Sequence, residues 1–544
     1  MKRNPLLLAL AVTVTLFAVS CKKGGKTGLL VPKEAAFVFY FNSGSLSSKL
    51  SWEEIKKSEW FQEAQREATD SFARKVLNDP AVSGVDTEKG FCFFVAPRGR
   101  GGYAAFQGGI KDQAAFEAML KSSAKTAAAP VKSGDLNVLS IDNDAVLTWN
   151  KSTFIFVGDV PMNTTGIGTK FPADSLIAFA KNTYALKGKA LLDDDSKFAD
   201  LIKSKGDIHM WFNAGNLYNS MSMGMMDMLK LSTLTDGNIG TGTLSFDDGK
   251  ISFTGKQYYG KELTKLFDKY SSKGANNELV GRLPGGEVMV AGVYSYPMGA
   301  LTDMVKLIGA DGLANIFLGQ KGITMEDIGK AFKGDLAFAV TDVKTRIDTV
   351  SYEGYDGKPS SYTVPKTEPS YVFGMAIDDQ KSFDKLYNVF GEELNKVPAN
   401  VAAIKAEKGW LMVSNSTDLS AGFLAGNNKP AYADKLTGHM LGIFVNIQKI
   451  LTSAQAETRD SSSIKMLEIS KATWQDVIAS GDYKGGSSSF QVDVNMVDKG
   501  MNSLKQINRY ADQLSALYKA RRASYDYSID TSAVSVEAPP KAFN

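Results

Sequence analysis

Few residues in this 544-residue chain are of the types that carry chemistry near neutral pH. There are two cysteines, Cys21 and Cys92, and two histidines, His209 and His439. Cys21 directly follows Lys2-Arg3, an apolar run over residues 6–17 and the small residues Ala18-Val19-Ser20. That order is a secretory signal peptide ending at its cleavage site, and the run is too short for a spanning helix, which needs roughly 20 apolar residues. Cys92 stands in Gly90-Phe91-Cys92-Phe93-Phe94-Val95, where cysteine reads as a small buried hydrophobe. Both histidines open apolar runs that read as strands, so a histidine metal site or a triad would have to be built from these two alone.

The other chemical candidates reduce to structure. Asp193-Asp194-Asp195 lacks the alternating ligands, central Gly and terminal Glu of a calcium loop; before Ser196-Lys197-Phe198 the acids read as the N-terminal charge of a helix. Met221, Met223, Met225, Met226 and Met228 form the sharpest local bias. Thioethers bind Cu(I), but a packing stripe or an apolar groove accounts for them as well. Ser122-x-x-Lys125 and Ser462-x-x-Lys465 lack the companion motifs of penicillin-interacting enzymes. Gly237-Asn238-Ile239-Gly240-Thr241-Gly242 lacks dinucleotide spacing. No catalytic, cofactor-binding or metal residue is assigned, and no cofactor is expected.

The elements that position these residues are sheets and amphipathic helices. Residues 37–42 read as a first strand, and Ser51-Trp52-Glu53-Glu54 as a capping box opening a long helix that ends before Pro80. Strands follow near residues 90–96 and 103–110, then a helix capped by Asp112 and carrying Phe116, then strands near 136–141, 145–149 and 154–157. The order β-α-β-β-α-β is that of a ferredoxin-like unit. It returns more weakly from Asp207, with Asp247-Asp248-Gly249 marking a hairpin.

From Leu283 the series starts again. Leu283-Pro284-Gly285-Gly286-Glu287-Val288 answers Val31-Pro32-Lys33-Glu34-Ala35-Ala36, Asp379 answers Asp112, and Ile443-Phe444-Val445-Asn446 answers Met210-Trp211-Phe212-Asn213. The spacing predicts an α+β fold, a tandem duplication of ferredoxin-like βαββα units with antiparallel sheets and helices packed on one face. The expected division is 1–20 signal peptide, 21–30 tether, 31–275 first repeat, 276–520 second repeat and 521–544 a tail without helical periodicity. The second copy alone carries an extended hairpin, with arms at 347–352 and 362–364 around Tyr355.

Composition excludes nucleic acid as a partner. The formal charge of +3 falls to about +1 without Lys2 and Arg3, and the 22% of charged residues are nearly balanced in sign, so no basic stripe exists to neutralise phosphates.

Cys21 after its cleavage site resembles the lipobox of bacterial lipoproteins, which implies that Cys21 is acylated and that Lys22 to Gly28 form a short tether. Together with the Pro-x-x-Ala strand at Pro32, the Gly84-Val85-Asp86 turn and the Asp112 helix, the chain resembles a Bacteroidota family of cell-envelope lipoproteins built on a domain of unknown function. The resemblance implies a lipid-anchored protein, and the basic Lys22-Lys23 favours the periplasmic face of the outer membrane. The function expected is non-enzymatic binding or scaffolding, with an envelope hydrolase as the alternative. Partners are the membrane, through the lipid, and a protein or apolar ligand at residues 221–228 or at the hairpin.

Overall fold

The computed structural model describes residues 29–530, apart from 68–70, 100, 124–128, 142–144, 162–170, 187, 222–229, 271–273, 354–357 and 396–401. Cys21, Met223, Met225, Met226, Met228 and Tyr355 lie outside the described residues. The chain is held in the body from its first described residue, inside the span expected to be tether. Leu29 is 5% exposed within a core cluster, and the Gln107 amide clamps Leu30 by accepting from its N–H and donating to its C=O.

Runs of alternating apolar residues bounded by Gly, Asp and Asn form the strands. In the first half these are β1 (Phe37–Phe41), β2 (Phe91–Arg98), β3 (Gly101–Ile110), β4 (Ala145–Trp149), β5 (Thr153–Pro161), β6 (Ile208–Asn213), β7 (Ile239–Asp247) and β8 (Lys250–Tyr258). They pair antiparallel in the spatial order β4-β5-β3-β2-β1-β6-β7-β8. The second half contributes β9 (Val290–Ser295), β10 (Phe332–Glu353), β11 (Pro359–Ile377), β12 (Ala403–Glu407), β13 (Trp410–Ser414), β14 (Leu441–Asn446), β15 (Trp474–Lys484) and β16 (Ser487–Met496). Their order is β12-β13-β11-β10-β9-β14-β15-β16, in which each strand has the neighbours of the strand numbered eight lower. β8 pairs with β16, so one antiparallel sheet runs through both halves.

Short strands Val131–Ser133 and Leu136–Ile141 extend the sheet beyond β4. Among the described residues Val131–Ser133 and β12 each pair on one side only. A closed barrel would need partners on both, so the ladder is open.

The β8–β16 register is self-complementary. Thr254 lies opposite Gln491, each four residues into its strand (254 − 250 = 491 − 487), and each strand follows a tight hairpin. Equivalent positions meet as they would across a two-fold axis.

Helices cover both faces of the sheet, not one. Cys92, Phe94, Val38 and Trp211 pack against Leu176 and Ala180 of helix Ala173–Tyr184 and Phe198 of helix Ser196–Lys203. On the opposite face Phe91 and Phe106 pack with Phe116 of helix Gln113–Ser123. The reason is local. Phe91, Cys92, Phe93 and Phe94 are consecutive, and consecutive strand residues point to opposite faces, so both faces need cover.

Two further differences come from tertiary docking. The capping box of Ser51 and Glu54 is present, but the helix it opens breaks into Trp52–Lys56, Glu59–Glu67 and Ser71–Asn78. At the first break Trp60 turns to donate from Nε1 to Asn508 Oδ1, 2.9 Å away on the last helix, Ser503–Asp530. That helix continues to Asp530, where loss of periodicity predicts a tail.

The extended hairpin is β10–β11, whose ladder continues to the Glu353–Pro359 pair, while β13 joins β11 only at residues 372–376. The outer arms form a two-stranded ribbon.

Candidate functional site

At the centre of the sheet lies a stretch of one face that no helix among the described residues covers. The pairings place Thr243, Thr254, Gln491 and Ser480 side by side across β7, β8, β16 and β15. The next row on the same face is Thr241, Lys256, Ser489 and Asp482. Thr254, Lys256, Ser489 and Gln491, on the two middle strands, are exposed. These rows floor a groove of about 440 Å³. Helix Ser196–Lys203 and the residue after it form one wall through Lys197, Asp200, Leu201 and Ser204, whose 3- and 4-residue spacing presents the side of the helix. His439 and Asp482 stand at the other side.

Two aromatic rings lie beneath the floor. Gly242 pairs with Gly255, and a Cβ on Gly255 would stand 2.3 Å from the Phe490 ring. The rings of Phe490 and Phe253, with centroids 5.7 Å apart, occupy the space that side chains at these glycines would take. The hairpin preceding β8 turns at Gly249, where φ is +67°, a conformation glycine adopts without a Cβ penalty.

Both histidines adjoin this groove, which their sequence separation conceals. His439 Nδ1 lies 2.7 Å from Asp482 Oδ2, and Asp482 Oδ1 accepts from the Met440 N–H at 3.0 Å. A carboxylate fixed in this way orients the imidazole. His209 continues the first row on the same face, opposite Thr243 across the strands, and is buried under the wall helix with Nδ1 3.3 Å from Thr243 Oγ1 and 3.4 Å from Ser204 Oγ. Burial lowers its pKa, with nearby Asp207 acting in the opposite direction. Lys197 Nζ sits 5.3 Å over the Tyr258 ring.

The remaining candidates do not gather here. Cys92 is fully buried, and burial pushes its thiol up to about 12, far from a reactive thiolate. Asp195 accepts from the Phe198 N–H at 2.9 Å and Asp193 from the Ala190 N–H at 3.1 Å, as helix caps. No group of three or more His, Cys, Asp or Glu side chains suited to a metal ion occurs among the described residues.

Sequence reasoning missed the floor. The sequence marks the hairpin at Asp247-Asp248-Gly249, but sequence reasoning does not pair it with a counterpart hairpin at residues 474–496. The available signal was that these hairpins occupy the same place in both halves and each carries small polar residues at alternate positions.

A family model described as a domain of unknown function (DUF4836) matches residues 29–348. No curated protein matches the chain. Among solved structures, crystal form III of TP0453 is similar at 11% identity and a TM-score of 0.25, covering 46% of this chain and 90% of that one. Crystal form I of TP0453 gives 10%, 0.26, 46% and 89%.

Proposed function

The chain belongs to the family of the domain of unknown function DUF4836, and from that premise we propose that it is a lipid-anchored, non-enzymatic binding protein of the bacterial cell envelope, with the junction groove as its binding surface. One observation carries the reading. The two middle strands of the sheet leave four polar side chains exposed on the face that helices pack elsewhere. An uncovered floor at the centre of a packed layer is a place where a ligand takes the position of a missing helix.

The tandem duplication belongs to the same proposal. Phe116 and Phe383 are each 2% exposed, each follows an aspartate helix cap by four residues, and the strands around them have matching neighbours. The groove then lies where the two copies meet.

Anchoring is supported by the signal-peptide pattern ending at Cys21. No helix among the described residues is long and apolar enough to cross a membrane. Acylation supplies about 0.8 kcal/mol per buried CH₂, so Cys21→Ser should move the protein from the membrane pellet to the soluble fraction. Retention of Cys21→Ser in the pellet would remove the anchor.

The hydrolase reading has one observation in its favour, the imidazole of His439 held by Asp482. Ser489 is the cross-strand neighbour of Asp482, so it is the hydroxyl that such an enzyme would use. The binding reading expects no labelling of Ser489 by a fluorophosphonate; labelling that disappears in His439→Ala would replace it with the hydrolase.

A further inference from the structure

Building on the groove as a binding surface, we propose that its ligand is an uncharged saccharide lying across the four central strands on the two polar rows.

Charge is the first argument. The groove sets two lysines, Lys197 and Lys256, against two aspartates, Asp200 and Asp482, the latter in contact with His439, so with that imidazole neutral neither a phosphate nor a cation gains net Coulombic attraction there. The wall helix offers its side, not its N-terminus, which removes the usual backbone cradle for an anion.

The second argument is the type and spacing of the polar groups. The floor carries the hydroxyls of Thr241, Thr243, Thr254, Ser480 and Ser489 with the Gln491 amide between them. Hydroxyls both donate and accept, and the amide does so through separate atoms. Thr243 pairs with His209, Thr241 with the Lys256 carbonyl and the Gln491 amide with Asp493, which leaves Thr254, Ser480 and Ser489 to a ligand; one that is itself a lattice of hydroxyls satisfies them, whereas an apolar ligand offers them no partner, at about 1–3 kcal/mol per buried group. Neighbouring strands stand about 4.8 Å apart, roughly the width of one sugar ring, so successive rings would meet successive strands. Asp200 offers a carboxylate suited to paired hydroxyls, with Asp482, held by His439 and the Met440 N–H, at the opposite side, and Tyr258 supplies apolar surface for the C–H face of a ring.

The groove spans both sides of the junction. Thr243 and Ser480, and Thr254 and Gln491, are each 237 residues apart (480 − 243 = 491 − 254), and together they form one row across the junction. The row therefore presents small polar groups on both sides of the junction.

The test uses the full chain carrying Cys21→Ser on an array of neutral and charged oligosaccharides, with solution titration of the strongest neutral tetrasaccharide and its disaccharide. Inorganic phosphate and a fatty acid serve as comparison ligands. Thr254→Trp fills the floor and Gln491→Ala removes its central amide; both positions are exposed, and unchanged thermal midpoints confirm folding. Tyr362→Ala, on the ribbon, is the control. Tetrasaccharide binding that is weakened at least tenfold by both groove variants and unchanged by Tyr362→Ala is the expected result. Absence of neutral-saccharide binding, preference for phosphate or fatty acid, or equal binding by the groove variants overturns the inference. Photoreactive cross-linking from position 254 in intact envelopes separates the two levels. A protein adduct there, without saccharide binding, leaves the groove as a binding surface and removes the saccharide; no adduct and no binding removes both.

Discussion

His209 shows how far a side chain's role depends on its surroundings. Its ring is 1% exposed, Tyr40 stacks on it at 6.0 Å, and the hydroxyls of Ser204 and Thr243 face Nδ1. Burial lowers its pKa, so below the ordinary value of about 6.5 the unfolded chain binds a proton that the folded chain resists. Stability therefore falls as pH drops through that range. His209→Gln should flatten the slope of urea midpoint against pH between 7 and 5 relative to the unsubstituted chain, whatever it does to the absolute midpoint. An unchanged slope would show that the ring titrates alike in the folded and unfolded chain.

The last helix, Ser503–Asp530, allows two kinds of contact to be ranked. Lys505 Nζ lies 2.6 Å from Glu54 Oε1, and the hydrogen bond from Lys505, with the Ser51 N–H, lowers the Glu54 carboxyl to about 2. Both side chains are about two-fifths exposed, at 42% and 41%, so solvent screening leaves Lys505→Ala costing less than ~1 kcal/mol. That contribution is present above the unfolded carboxyl value and is lost as pH falls toward 2. Asn508 is different. Its Oδ1 accepts from Trp60 Nε1 and its Nδ2 donates to Ser58 Oγ at 2.8 Å. Asn508→Leu leaves these groups without their partner and should cost about 1–3 kcal/mol. Urea unfolding of the two variants at pH 7 should rank Asn508→Leu as the more damaging; the reverse order would mean that the ion pair holds the helix.

Across the whole molecule, the two halves are joined by equivalent edge strands. A sheet edge is an unpaired row of donors and acceptors that invites association, and here each half covers the edge of the other. Directly opposed residues in an antiparallel pair have Cα atoms about 4.5 or 5.5 Å apart, within the range a disulfide spans. In a Cys21→Ser background, Thr254→Cys with Gln491→Cys should therefore oxidise to an internal cross-link, seen as faster migration on a non-reducing gel, and raise the unfolding midpoint. Thr254→Cys with Ser488→Cys, three positions off register, should stay reduced. Equal oxidation of both pairs would mean that the junction slides.

The sequence by itself determined the local elements. Capping residues at Ser51, Asp112, Asp195 and Asp379 start helices as read, and Asp248-Gly249 turns the β7–β8 hairpin, because these signals act over three or four residues. It also determined the inert character of Cys92, since an apolar strand leaves a thiol no charged neighbour. What it could not determine depends on which elements meet. The break at Trp60 and the helix to Asp530 arise because those two segments dock on each other, some 450 residues apart. The groove arises only when β8 and β16 pair, since Thr254 and Gln491 are unremarkable solvent-facing residues until that register places them side by side.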